Sequence, residues 1–157
     1  MPKINLIDVI DEDFVNYRVP SMVLEFPYCS FKCGKSVCQN AKIANENVIS
    51  SDIETLCSRY VLNFITDAIV CQGLEPLDSF DELVDFISCL REKFNCFDDV
   101  VIYTGYNKDE ILDKIEVLKR FENIVVKYGR YIPDQEAHLD EVLGVELASD
   151  NQYAERI

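Results

Sequence analysis

Three cysteines stand close together in the stretch "FPYCSFKCGKSVCQN", residues 26–40. Three residues separate Cys29 from Cys33, and four separate Cys33 from Cys38. Thiolates are soft ligands that suit iron–sulfur clusters and zinc. Three of them in one short segment can hold three irons of a cubane cluster and leave one iron open for a substrate or cofactor. The spacing therefore predicts a metal centre, with an open iron–sulfur cluster favoured over zinc or redox-active thiols.

A closed zinc site needs a fourth protein ligand, and the sequence offers few candidates for one. His138 is the only histidine, and it lies far downstream of the triplet. Cys57 and Cys89 fall on the apolar faces of predicted helices, where cysteine is usually a small core residue. Cys71 ends a predicted strand near the same edge and remains a possible fourth ligand.

The composition is that of a globular domain with an unusual charge. The chain has 157 residues, of which 48% are hydrophobic and 28% charged, and a net charge of −14. There is no internal repeat or Pro/Gly/Ser-rich linker, so we predict one domain over residues 1–157. A surface this acidic repels phosphate backbones and anionic lipid, which argues against nucleic acid or a membrane as the partner. A basic patch on another protein is the expected complement.

The N-terminus and the cysteine count indicate the compartment. The chain begins "MPKINLIDVIDEDF", which lacks the basic start and apolar stretch of a secretory signal, and no apolar run is long enough to cross a membrane. The cysteines number seven, an odd count that does not suit a disulfide framework. We therefore expect a cytoplasmic protein whose thiols are reduced and available for metal or catalysis.

Hydrophobic periodicity predicts strands that alternate with amphipathic helices. The predicted strands are residues 21–26, 67–73, 99–105 and 123–129, with a further short strand near Val145. The predicted helices are residues 51–64, 79–94 and 107–121, capped by Ser51, Ser79 and Asn107. Near-continuous apolar strands between helices indicate parallel strands buried on both faces.

In a parallel sheet, the loops that follow the strands meet at one edge and carry the site. That edge should collect the cysteine segment and the stretches "CQGLEP", "YTGY" and "KYGR". Gly73 permits a close backbone approach, Glu75 offers a carboxylate for an ammonium group, and Pro76 stiffens their turn. Thr104 could bond a ribose or a carboxylate. Taken alone, "CQGLEP" and "YTGY" each also suit a plain turn before a helix.

Taken together, these motifs resemble the radical SAM family. The resemblance rests on the C-x3-C pair with a third cysteine nearby, the G-x-E-P turn after the second predicted strand, and "YTGY" after the third. Asn40 and "SDNQ" at residues 149–152 resemble, more narrowly, the activases of the anaerobic ribonucleotide reductase. The family pattern is usually C-x3-C-x2-C, so the second gap here is two residues longer, and Val37 stands where an aromatic residue is common.

The resemblance implies a fold and a set of cofactor contacts. It implies an α/β fold, a partial, open (β/α) barrel of about four to five parallel strand–helix units, since a full barrel needs about 250 residues. Cys29, Cys33 and Cys38 would hold a [4Fe–4S] cluster whose open iron binds S-adenosylmethionine. The remaining implied contacts to S-adenosylmethionine come from Phe31, Asn40, Gly73, Glu75, Pro76, Thr104 and Lys127.

The implied activity is the generation of a glycyl radical on a large partner enzyme, with the anaerobic ribonucleotide reductase as the expected partner. A flavodoxin or ferredoxin would supply the electron, and an open side of the barrel would admit a protein loop. Two alternatives stay open. One is a radical SAM enzyme that acts on another substrate, and the other is a non-catalytic iron–sulfur or zinc module.

The cysteine assignments predict a clear difference between two groups of alanine variants. Replacement of any one of Cys29, Cys33 or Cys38 should abolish cluster binding, measured as iron and sulfide content after anaerobic reconstitution. Cys57→Ala and Cys89→Ala should retain the cluster and lose about 1–2 kcal/mol of stability at most. An equal loss of iron in the second pair would contradict the assignment of the ligands.

Overall fold

The computed structural model describes residues 2–28 and 47–157 of the chain. Ten strands lie within these residues: β1 Lys3–Leu6, β2 Asp8–Asp13, β3 Ser21–Phe26, β4 Ile49–Asp52, β5 Ala68–Gly73, β6 Asp99–Tyr103, β7 Ile124–Tyr128, β8 His138–Asp140, β9 Val145–Leu147 and β10 Tyr153–Arg156. The α-helices described are α1 Ile53–Val61, α2 Phe80–Ser88 and α3 Leu112–Leu118. Short 3₁₀ turns at Pro76–Ser79 and Lys108–Glu110 precede α2 and α3, and a π-helical turn, Cys89–Lys93, extends α2.

A six-stranded sheet in the order β10-β7-β6-β5-β3-β2 organises the fold. Its central strands β3, β5, β6 and β7 are parallel. The edge strands β2 and β10 pair antiparallel to β3 and β7. Two small antiparallel pairs, β1 with β4 and β8 with β9, complete the described strands.

The predicted partial barrel of parallel strand–helix units is wrong. The sheet is mixed, with an antiparallel strand at each edge, and the described residues contain three α-helices and no partial parallel barrel. The reason lies in the connections. Residues 14–20 between β2 and β3 are too few for a parallel crossover, which needs about a dozen. After β7 the chain forms the β8–β9 hairpin and then returns antiparallel as β10.

The sheet is buried on both faces, because each of its parallel strands is almost wholly apolar. One face packs against the helices through a cluster that includes Ile69, Ile102 and Leu83. The other face is covered by the turn before β3 and by the β8–β9 hairpin, in a cluster that includes Val70 and Leu143. The sequence alternation that sends neighbouring strand residues to opposite faces therefore buries both sets.

The structure confirms the predicted helix caps only in part. Asn107 caps the turn before α3 in a reciprocal capping box with Glu110, as predicted. The cap of α1 is Asp52, whose carboxylate accepts from the Thr55 amide at 2.9 Å, and not Ser51. Ser79 makes no cap hydrogen bond. None of the helices in the described part of the chain is both long and apolar enough to cross a membrane.

Gly73 is required by the packing of β5 against β3. Its φ is +96°, and a Cβ there would lie 2.6 Å from the Phe26 amide nitrogen. Gly73→Ala should therefore lower the free energy of unfolding by about 1–3 kcal/mol, measured by anaerobic urea denaturation. Gly105→Ala is the matched control, because its nearest atom would be Glu75 Oε1 at 3.5 Å, an ordinary contact. Equal losses in the two variants would contradict this account.

Candidate functional site

The cysteine segment and its neighbours lie outside the described residues. Cys29, Cys33 and Cys38, together with Phe31 and Asn40, belong to residues 29–46. Their predicted roles stay predictions. The described chain does include the residues that lead into this segment and the turns that follow β5, β6 and β7 at the same edge of the sheet.

The turn after β5 is bonded to the chain that enters the cysteine segment. The Leu74 amide donates to the Phe26 carbonyl at 3.0 Å, and the Glu75 amide donates to the Tyr28 carbonyl at 2.8 Å. These bonds continue the parallel pairing of β3 with β5 beyond the ends of both strands. Because Cys29 follows Tyr28 covalently, the G-x-E-P turn and the first cysteine start from one backbone ladder.

The carboxylate of Glu75 is the centre of a buried polar arrangement. Its Oε2 accepts from the Thr104 hydroxyl at 2.8 Å and from the Leu77 amide at 3.1 Å, and its Oε1 accepts from the Gly105 amide at 2.8 Å. Pro76 sits at the first position of the 3₁₀ turn that Glu75 caps, where its fixed φ favours a helical start. Glu75 thus joins the turn after β5 to the turn after β6.

Burial and hydrogen bonding act in opposite directions on Glu75. The side chain is buried, and loss of water raises the pKa of its carboxyl, while the donors of Gly105, Leu77 and Thr104 oppose this rise. A carboxylate offers about four acceptor positions. The three internal donors therefore leave room for a further donor, such as the ammonium group the sequence predicts.

Lys127 lies on the other side of Thr104, on β7. Its Nζ donates to the Gly129 carbonyl at 3.0 Å and to the Thr104 carbonyl at 3.4 Å. Burial lowers the pKa of Lys127 to about 8, although the negative charge of Glu75 opposes this change. Thr104 therefore contacts Glu75 through its hydroxyl and Lys127 through its carbonyl, which brings three of the predicted site residues together.

The "SDNQ" turn, residues 149–152, lies at the same edge of the sheet and comes from the C-terminal part of the chain. Gln152 donates through Nε2 to the Gly129 carbonyl at 3.3 Å and accepts from the Ser149 amide at 3.2 Å. Asn151 donates through Nδ2 to the Arg130 carbonyl at 2.9 Å. Ser149 and Gln152 are both buried. The distant motif therefore packs on the "KYGR" turn, beside Lys127.

Sequence reasoning missed two polar side chains at this edge. Glu25 and Gln72 pair across β3 and β5, and Gln72 Nε2 donates to Glu25 Oε1 at 3.4 Å. Glu25 lies two residues after Val23, and Gln72 lies two residues after Val70. Both therefore share the face of those valines, which is opposite the face that packs against the described helices. Burial raises the pKa of Glu25. The signal was available, since each is a polar residue near the end of an otherwise apolar strand.

The other cysteines that the structure describes do not form a second metal centre. Cys57 and Cys71 are fully buried in the core on the helix side of the sheet, and Cys89 packs against that core. Burial raises the pKa of the Cys71 thiol, which disfavours the thiolate needed for a metal. Residues 2–28 and 47–157 contain no group of three His, Cys, Asp or Glu side chains placed to hold a metal ion. The triplet at residues 29–38 remains the predicted donor set, and three thiols suit an iron–sulfur cluster.

Comparison with known protein families shows the class of protein to which the chain belongs. The chain belongs to the family of the 4Fe-4S single cluster domain, whose model matches residues 18–152. The match spans β3, the cysteine triplet, all the turns described above and the "SDNQ" turn, and it confirms the prediction of a 4Fe–4S protein. No curated protein and no solved structure gives a significant match.

The buried lysine predicts a specific dependence of stability on pH. The unfolded lysine binds its proton up to a pKa of about 10.4, whereas the folded pKa is about 8. Between these values the unfolded state binds more protons, so stability rises with pH relative to a variant without the amine. Against Lys127→Met, the free energy of unfolding of the wild type should rise by on the order of 3 kcal/mol from pH 8 to 10.5.

The control for this titration is Lys119→Met, at an exposed position after α3. Urea denaturation of the three proteins at each pH provides the measurement. Lys119→Met should follow the wild-type curve. A constant difference between wild type and Lys127→Met across the range would show that the folded amine does not titrate there.

Proposed function

We propose that this 4Fe–4S protein is a radical SAM activase that cleaves S-adenosylmethionine reductively and generates a glycyl radical on a partner enzyme. The observation that carries the proposal is the backbone ladder from Phe26 and Tyr28 to the turn of Glu75. It brings the backbone of the turn that carries this buried carboxylate next to Tyr28, the residue before Cys29. An open iron and a neighbouring carboxylate are the two features needed to hold an amino acid through its amino and carboxylate groups.

The roles of the residues follow their chemistry. Cys29, Cys33 and Cys38 would hold three irons and leave the fourth open. Glu75 retains acceptor capacity for the ammonium group of the ligand, after its internal donors are counted. Lys127, whose amine is bound only to carbonyls among its hydrogen-bond partners in the described chain, suits an anionic group.

Three further residues would shape the pocket. Pro76 fixes the turn that carries Glu75. Phe31 would pack on the adenine, and Thr104 would contact the ribose or the carboxylate through its remaining acceptor capacity, since its hydroxyl already bonds Glu75 and the Tyr106 amide.

With the cluster bound, one electron would break the sulfonium C–S bond, giving methionine and a 5′-deoxyadenosyl radical that removes hydrogen from a glycine of the partner. The protein's part is to bind, to orient and to exclude water. Burial of Glu75 and Lys127 serves this part, because charged groups in a dry site hold a ligand more strongly than the same groups in water.

The proposed partner is a large glycyl radical enzyme, specifically the anaerobic ribonucleotide reductase, with a flavodoxin or ferredoxin as donor. The support is the resemblance carried by Asn40 and by "SDNQ", a turn that packs on Gly129 and Arg130 beside Lys127. The net charge of −14 favours a basic surface on that partner.

Anaerobic reconstitution tests the proposal. The full chain is loaded with iron and sulfide, then supplied with S-adenosylmethionine and dithionite. Methionine and 5′-deoxyadenosine in equal amounts are the expected products. Added reductase should then show a glycyl radical signal by electron paramagnetic resonance. Cleavage without that signal would indicate a radical SAM enzyme with another substrate.

A second candidate is a non-catalytic 4Fe–4S module, and one observation favours it. Both oxygens of Glu75 already accept internal hydrogen bonds, as they would in a purely structural turn. Such a module would bind the cluster and pass electrons but would release no 5′-deoxyadenosine in the same assay. The product analysis therefore separates the two functions.

The carboxylate role predicts a binding defect without a cluster defect. Glu75→Ala should weaken S-adenosylmethionine binding about 10- to 100-fold, since a charge-assisted hydrogen bond contributes roughly 1.5–3 kcal/mol. Titration calorimetry of the reconstituted protein measures the affinity, and iron and sulfide content measures the cluster. Asp81→Ala, an exposed carboxylate on α2, is the control and should bind normally. Unchanged affinity in Glu75→Ala would remove this residue from the site.

A further inference from the structure

Five large apolar side chains are exposed in two short segments, residues 14–15 and 62–65, near the edge of the sheet where the parallel strands begin. We call them the apolar edge patch. Its members, with their exposed fractions, are Phe14 65%, Val15 72%, Leu62 69%, Phe64 93% and Ile65 53%. Single exposed apolar residues are ordinary, but grouped ones mark a surface that binds another molecule.

Hydrogen bonds hold these two segments side by side. Arg59, in the last turn of α1, makes two bonds to the Asp11 carboxylate at 2.6 and 2.7 Å. Asn63 donates to the Glu12 carboxylate at 2.8 Å. The patch residues lie next to these contacts in sequence, with Leu62 and Phe64 on either side of Asn63 and with Phe14 two residues after Glu12. The two exposed segments therefore lie close together.

Carboxylates border the apolar edge patch. Residues 11–15 and 59–67 contain four carboxylates and one arginine, which leaves a net charge of −3. That arginine is already bonded to Asp11. The four carboxylates are Asp11, Glu12, Asp13 and Asp67.

We propose that the apolar edge patch is a docking surface for a protein segment that presents apolar side chains bordered by lysine or arginine. The apolar centre supplies contact area, and the acidic border selects the sign of the partner's charge. A second copy of this chain is a poor occupant. A symmetric dimer through this surface would bring identical acidic borders together, and each copy carries a net charge of −14.

This surface is distinct from the candidate site. The site lies where the parallel strands end, whereas the apolar edge patch lies where they begin. β5 has six residues, so about 17 Å of strand separates the two edges. A partner held at the apolar edge patch would leave the turns of Glu75, Thr104 and Gly129 accessible, so the inference does not depend on the proposed function.

A peptide titration tests the inference. The probe is a fluorescein-labelled, 18-residue amphipathic helix of leucine and lysine, titrated with the reconstituted full chain and followed by fluorescence anisotropy. Phe64→Ser should weaken binding at least tenfold, since burying a phenylalanine contributes about 1.5–3 kcal/mol. The residue is 93% exposed, so the substitution leaves the fold intact.

Matched controls separate this surface from general attraction to an acidic protein. Leu112→Ser and Leu139→Ser remove exposed leucines elsewhere, 55% and 64% exposed, and should bind the probe like the wild type. A scrambled peptide of the same composition should bind at least tenfold more weakly. Equal binding by Phe64→Ser, equal binding of the scrambled peptide, or Phe64-dependent dimers in sedimentation velocity would each overturn the proposal.

Discussion

The buried carboxylate of Glu75 is the constraint on which this edge of the molecule depends. A carboxylate removed from water is strongly destabilising unless donors replace the lost hydration. Here the donors come from two places, the start of the following 3₁₀ turn and the end of β6. The turns after β5 and β6 therefore cannot move independently, because their separation would leave the Glu75 carboxylate without its hydrogen-bond donors.

The same arrangement extends across the sheet through backbone carbonyls. Thr104 connects the Glu75 carboxylate to the amine of Lys127, and Lys127 reaches Gly129, whose carbonyl also accepts from Gln152. The carboxylate after β5 and the amine on β7 are thus separated by Thr104 at the end of β6, and neither forms a direct ion pair with a residue that the structure describes. Both buried charged groups can therefore still interact with a ligand of opposite charge, and such groups are common in ligand sites.

Local signals allowed the central strands to be predicted, because β3, β5, β6 and β7 are short and almost wholly apolar runs. The cap at Asn107 was equally local. The edge strands β2 and β10 are polar and gain their order from pairing with a neighbour, which no local pattern shows. The barrel prediction failed for this reason, since antiparallel additions at both edges are long-range events.

The positions of the site residues could be predicted from the sequence, but their hydrogen-bond partners could not. The location of Glu75 and Thr104 after adjacent parallel strands followed from topology, whereas the Gly105 and Leu77 amides that bind the carboxylate are backbone groups with no sequence signature. Ser51 failed as a cap because the segment Ile49–Asp52 pairs with β1, which moves the helix start to Ile53. Tertiary pairing overrode a local preference there.

The composition of β2 has a consequence for how the protein behaves in a crowded solution. Among the residues that the structure describes, this strand pairs on one side only, and its six residues, "DVIDED", include four carboxylates. An unpaired strand edge is a template for another chain, and like charges prevent that addition. Replacement of these carboxylates by neutral side chains would remove the repulsion and leave the hydrogen-bonding edge in place. Such a variant should therefore aggregate by strand addition at β2 more readily than the wild type.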